Sequence, residues 1–207
     1  MTKIDLAKKD KAYYTAGITP EITEIGECSY LSLTGKGDPS DKAFAENIEA
    51  LYSVAYKIKF AFKAIDKDFV VAKLEGLWWY DEERFPGKNY KTASSDVPRS
   101  EWEYRLLIRL PDFVTANDVA IAKEIVVQNK GLKKAATVGY YTMKEGKCVQ
   151  ILHIGPFANE PATLEILGTF IEKHRFAKNG LHHEIYLSDF RKTAPEKLKT
   201  ILREPVK

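Results

Sequence analysis

Cysteine is scarce in this chain of 207 residues: Cys28 and Cys148 are the only two, far apart and at no zinc or redox spacing. That excludes a disulfide scaffold and fits a cytoplasmic setting with reduced thiols. No apolar run reaches the length of a membrane span, and Met1 to Lys11 lacks the apolar centre of a signal peptide. An excess of one charge is also missing. Lys and Arg number 32 against 29 Asp and Glu, a net charge of +3, too small to mark a direct nucleic-acid binder. Gly35-Lys36-Gly37 lacks the rest of a phosphate-binding fingerprint, and no spacing makes a zinc site or a Ser-His-Asp triad, so neither cofactor nor metal is expected. Aromatic residues, in contrast, are plentiful at 12%, with 11 Tyr and 10 Phe. A surplus beyond the core would suit a site that stacks flat ligands.

Helical spacing of Phe44, Ile48, Leu51, Ala55, Ile58 and Phe62 predicts a helix from Lys42 to Lys63. Thr115 and Asp118 form a capping-box pattern for a second helix to about Asn129. Pro161 suits the first turn of a third, which carries Leu164, Leu167, Phe170 and Ile171. A short C-terminal helix is expected after Pro195, with Leu198, Ile201 and Leu202. Strand-like runs are Ile22 to Thr34, Phe69 to Tyr80, Trp102 to Leu110, Ala135 to Met143, Cys148 to Ile154 and His183 to Phe190. A hairpin turn is expected at Met143 to Lys147. Asp81 to Ser100 reads as the longest loop.

Gly26-Glu27-Cys28 leads through a strand to Gly35, and Gly146-Lys147-Cys148 leads at the same spacing to Gly155. A proline-containing loop and an amphipathic helix follow each. The pattern suggests two tandem strand–helix–strand modules packed as a pseudo-twofold pair, an α+β fold of antiparallel sheets and helices enclosing a ligand cleft. The modules are placed at residues 20–112 and 113–192, with 193–207 as C-terminal helix and tail.

Three clusters are candidates for chemistry. In Leu74 to Tyr80, strand alternation puts Glu75, Leu77 and Trp79 on one face and Trp78 and Tyr80 on the other. An acid beside an indole serves a flat or cationic ligand; the competing reading is two core tryptophans and a solvated acid. In Glu101 to Arg105, Trp102 and Tyr104 share an apolar face and Glu103 lies opposite. Here core packing and an ion pair of Glu103 with Arg105 compete with ligand contact. In His182 to Asp189, Glu184, Tyr186 and Ser188 share a face, giving a base and a phenolic donor within reach of one ligand. His182 and His183 point apart, which argues against a shared metal. His153 reads as a structural histidine at a strand end, and is kept with Tyr141 among the candidate ligand contacts.

These segments resemble the GyrI-like small-molecule-binding family over nearly the whole chain. The most specific matches are Gly35 to Pro39, Glu49 to Tyr56, Leu74 to Trp79, Pro111 to Thr115 and His182 to Asp189. The likeness is to the stand-alone branch, with no DNA-binding domain before the first strand. It implies a cleft binding hydrophobic, often cationic, multi-ring compounds, and in some members hydrolysis of cyclopropane rings in DNA-alkylating natural products. It also implies a glutamate and aromatic residues for that chemistry, which carry over to Glu184, with Tyr186 and Trp79 as neighbours. Thr34 departs from an acid usual before the first glycine, and Tyr104 from a second tryptophan. A non-catalytic sequestering protein, or a module acting on a protein partner such as DNA gyrase, are the rival functions.

Overall fold

The computed structural model describes residues 3–88 and 92–207. Two short helices, α1 (Leu6–Lys9) and α2 (Lys11–Tyr14), precede a long strand β1 (Glu21–Lys36) and the long helix α3 (Lys42–Lys63). Then come β2 (Leu74–Trp79), a single-turn helix α4 (Ala93–Asp96), β3 (Glu103–Arg109) and α5 (Ala116–Lys130). The second half holds β4 (Gly139–Ile154), α6 (Glu160–Lys173), β5 (His182–Tyr186) and β6 (Lys199–Pro205). The fold is α+β. Six antiparallel strands close into a barrel in the order β1-β3-β2-β5-β6-β4. The order strand, long helix, strand, strand occurs twice, and exchanging the two units maps the barrel order onto itself. The seam between the units on one side is the β2–β5 pair.

The expected caps are present. Thr115 and Asp118 bond reciprocally at the start of α5, and Pro161 stands in the first turn of α6. Two expectations are corrected. Met143 to Lys147 is not a hairpin turn but the middle of β4, paired with β1 on both sides of it; Gly146 takes a positive φ of 70° without breaking the strand. Its polar look comes from Glu145, which is buried inside the barrel. Pro195 opens only a single 3₁₀ turn, and the apolar residues after it belong to strand β6, which closes the barrel between β5 and β4. The loop expected at Asp81 to Ser100 contains α4 and a 3₁₀ turn at Arg99–Glu101; residues 89–91 of it lie outside the described residues.

Alternation sends one face of each strand inward and the other under a helix. Outward, Leu31, Leu33, Leu106 and Ile108 meet α3 and α5, while Val149, Ile151 and Leu202 meet α6. Inward, apolar side chains such as Leu77, Leu107 and Ile185 share the barrel with a charged network. His183 bonds Glu75 and Glu145, each at 3.0 Å. Arg203 reaches Glu145 at 3.1 Å, Gln150 at 2.9 Å and the Tyr13 carbonyl at 2.7 Å. The Tyr13 hydroxyl, carried in by α2, donates to Glu75 at 2.5 Å.

Burial by itself would depress the His183 pKa, but Glu145 and Glu75 outweigh it and raise it to about 8. The folded value lies above the unfolded 6.5, so this contribution to stability is complete below the unfolded pKa and is lost as pH rises through about 8. Thermal melts are therefore expected to give a falling Tm between about pH 7 and about pH 9, with the fall reduced in His183→Gln. A Tm flat across that window, or an equal fall in the variant, would contradict the assignment.

Candidate functional site

A cavity of about 550 Å³ lies over the outer face of the β2–β5 seam. Trp78 and Leu74 from β2 and His182, Glu184 and Tyr186 from β5 form its floor. Phe44 of α3, Trp102, Phe157 and the start of α6, with Glu160, Pro161 and Leu164, make its walls. Each unit therefore contributes a strand and the N-terminal end of a helix.

The floor is a continuous chain of hydrogen bonds. Trp78 Nε1 donates to the Tyr186 hydroxyl at 3.1 Å, and Tyr186 donates to Glu184 at 2.7 Å. His182 Nε2 donates to the other Glu184 oxygen at 3.3 Å, and its Nδ1 to Glu204 at 2.5 Å. Gly76 makes the first link sterically open, since a Cβ there would stand 2.8 Å from Trp78 Nε1 and 3.0 Å from the Tyr186 hydroxyl. Both oxygens of Glu184 are thus held in place, which fixes the carboxylate while leaving lone pairs for a further partner.

Electrostatics separate the ionisable groups. Burial opposes charge on His182, yet Glu204 and Glu184 raise its pKa to about 10, so it is an imidazolium at neutral pH. For Glu160, burial and then the charge of Glu184 push the carboxyl well above the usual carboxylate range. Its Oε1 is buried with no hydrogen-bond partner among the described residues. Burial and the Glu184 charge also keep Tyr186 a neutral phenol. Glu184, held at both oxygens, and Glu160, whose burial favours the neutral carboxyl, therefore meet in an aromatic cavity.

Of the residues expected from sequence, the cavity brings together Glu184, Tyr186, Trp78 and Trp102. Tyr104 stands behind them, its ring 5.4 Å from that of Trp78 and its hydroxyl accepting from Asn47. Glu75 and Trp79 do not join them. They point into the barrel, on the face of β2 opposite Trp78, so Trp79 cannot neighbour Glu184. Glu103 pairs across from Lys36 and Trp79 at the end of β3, and Tyr141 faces the interior under the Arg105 guanidinium at 4.3 Å. His153 donates to the Pro156 carbonyl at 3.2 Å and accepts from the Thr163 hydroxyl at 2.8 Å, pinning the start of α6. Glu160, Phe157 and Glu204 were not singled out by sequence. An acid beside Pro161 reads as an ordinary first-turn residue, and nothing local signals its burial.

Among the described residues there is no group of three His, Cys, Asp or Glu placed to hold a metal ion, and no helix long and apolar enough to cross a membrane. The sequence profile of the GyrI-like small molecule binding domain matches residues 18–207. This chain belongs to the GyrI-like family. An uncharacterised conserved protein from Listeria innocua shares 37% identity with a TM-score of 0.88, over 99% of this chain and 100% of that one. A hydrolase from Listeria innocua shares 35% identity with a TM-score of 0.83, over the same fractions. The C-terminal domain of EcmrR, 12% identical over 91% of this chain and 97% of that one with a TM-score of 0.56, shares the fold alone. No functionally curated protein matches the chain. As a GyrI-like domain, the protein binds small molecules, and the cavity at the β2–β5 seam is where its aromatic walls and acids converge.

Proposed function

We propose that this GyrI-like protein takes bulky, planar, apolar or cationic molecules into the seam cavity and opens strained, cyclopropane-bearing electrophiles with water. The carrying observation is Glu184, fixed at both oxygens on a floor shared with Trp78 and Tyr186, with the buried Glu160 carboxyl in the same cavity. The name hydrolase on a relative 35% identical over the full length supports the catalytic half of this reading.

The chemistry runs as one addition of water. The planar ligand packs on Trp78, backed by Phe44 and Tyr104. Glu184 takes a proton from a water molecule whose oxygen attacks the least hindered ring carbon. The ring carbon–carbon bond breaks, and its electron pair moves through the conjugated system to a carbonyl oxygen. Glu160 delivers its proton to that oxygen, and the two carboxyl groups re-equilibrate their proton afterwards. Water is consumed, nothing else leaves, and ring strain supplies much of the driving force.

Binding is read by tryptophan quenching, because Trp78 and Trp102 line the cavity. A rhodamine-type dye is expected to quench the native protein, and Trp78→Ala to weaken binding by roughly tenfold. Equal affinity in native protein and variant would remove the seam cavity as the site. Dye binding with an unchanged alkylator would leave a sequestering protein, and no binding of either would favour a protein partner.

A further inference from the structure

A second cleft, of about 890 Å³, adjoins the first. Leu74, Tyr186 and Phe190 line both, so these three side chains form the wall the two clefts share. Phe190 is 38% exposed, and its ring stands edge-on to Phe157 with centroids 6.2 Å apart, so the shared wall reaches the surface there. The far wall is the Tyr52–Tyr56 face of α3, with ring centroids 6.3 Å apart.

The two clefts differ in charge. In the seam cavity each cation has a carboxylate partner: Arg99 is paired with Asp38, and His182 stands between Glu184 and Glu204. The second cleft is lined by five cations, Lys8, Lys73, Lys130, Arg191 and Lys192, against three carboxylates, Asp5, Glu49 and Asp189, an excess of two positive charges. Asp189 is engaged by Arg191 through two bonds of 3.0 and 3.2 Å, and Asp5 lies 3.9 Å from Lys8. Among the described residues Lys73 and Lys130 have no carboxylate partner. Lys73 immediately precedes Leu74, the β2 residue that borders both cavities.

We infer that the ligands are two-part molecules: a planar neutral or cationic head in the seam cavity, joined to an arm that crosses Phe190 and ends in an acidic group held by Lys73 and Lys130. This rests on the seam cavity being the small-molecule site and adds the class of molecule it selects. Paired cations in the seam cavity and two unpaired lysines in the adjoining cleft favour one orientation, with the anionic end in the second cleft.

The test uses a planar cationic dye carrying a flexible carboxylate-terminated arm, and the methyl ester of the same dye. The native protein is expected to bind the acid roughly five- to tenfold more tightly than the ester at low ionic strength, with the gap narrowing as salt is added. In the double variant Lys73→Glu, Lys130→Glu the preference is lost or reversed, while the ester keeps its native affinity. Equal binding of acid and ester by the native protein, or a preference that survives the double variant, overturns the inference. If the ester still binds and depends on Trp78, only the anionic arm has failed. If neither dye binds, the seam-cavity reading fails with it.

Discussion

Glu184→Gln is expected to lower the rate of cyclopropane hydrolysis by roughly 10²- to 10⁴-fold, the usual contribution of a positioned general base, while affinity for a neutral planar ligand changes little. Glutamine keeps the size of the side chain and one acceptor oxygen, so it retains the bond from Tyr186 and gives up the one from His182. It cannot take a proton from water. It also removes one of the two carboxylates that hold His182 charged, so the imidazolium leans on Glu204 alone. The loss belongs in kcat, because a neutral planar ligand gains little from the Glu184 charge when it binds. A variant that kept native turnover would remove Glu184 from the chemistry. A variant that lost dye binding and turnover together would make Glu184 a binding residue.

Arg203→Met is expected to destabilise the fold by about 3–5 kcal/mol in denaturant unfolding, the cost of breaking a buried ion pair from one side. Arg203 is fully buried and spans three groups that have no route to water: Glu145, Gln150 and the Tyr13 carbonyl. Methionine fills much of the volume but leaves Glu145 balanced by His183 alone. Those two partners hold the Glu145 pKa at about 2 against its burial. Adding Glu145→Gln to Arg203→Met is expected to recover part of the loss, since the second change removes the stranded charge. A loss below about 1 kcal/mol for the single variant would show that the interior network contributes little net stability.

The helices were legible because each exposes one side. Lys42–Lys63 has the bounds that its apolar spacing predicts, and the Thr115–Asp118 box opens α5 where expected. Strand alternation was legible too: Glu184 shares a face with Tyr186, and Trp78 faces away from Trp79. Alternation states which residues share a face and is silent on where that face goes. In a closed barrel wrapped by helices both faces are buried, so the inward Glu75–Trp79 face and the outward Trp78 face carry similar residues. That is why the sequence places Trp79 beside Glu184, whereas the register pairs Gly76 with Glu184 and Trp78 with His182, which leaves Trp78 on the face of Glu184. The same double burial disguised β6. Leu198, Ile201 and Leu202 stand at helical spacing, while Arg203 and Glu204 look like a solvated helix face. Both are instead fully buried, one on Glu145 and the other on His182. Charged residues satisfied by distant partners leave no local mark, which hides Glu145 within β4; Glu160 at the start of α6 is hidden because nothing local signals its burial.

The seam cavity is a hydrolytic site if it adds water to a strained ring. Native protein is incubated with a cyclopropane-bearing alkylator in heavy-oxygen water, and the product is read by mass spectrometry. The prediction is a single ring-opened product carrying one heavy oxygen, formed by the native protein and absent with Glu184→Gln. Unchanged alkylator in the presence of bound protein, or labelled product formed equally by Glu184→Gln, would contradict it.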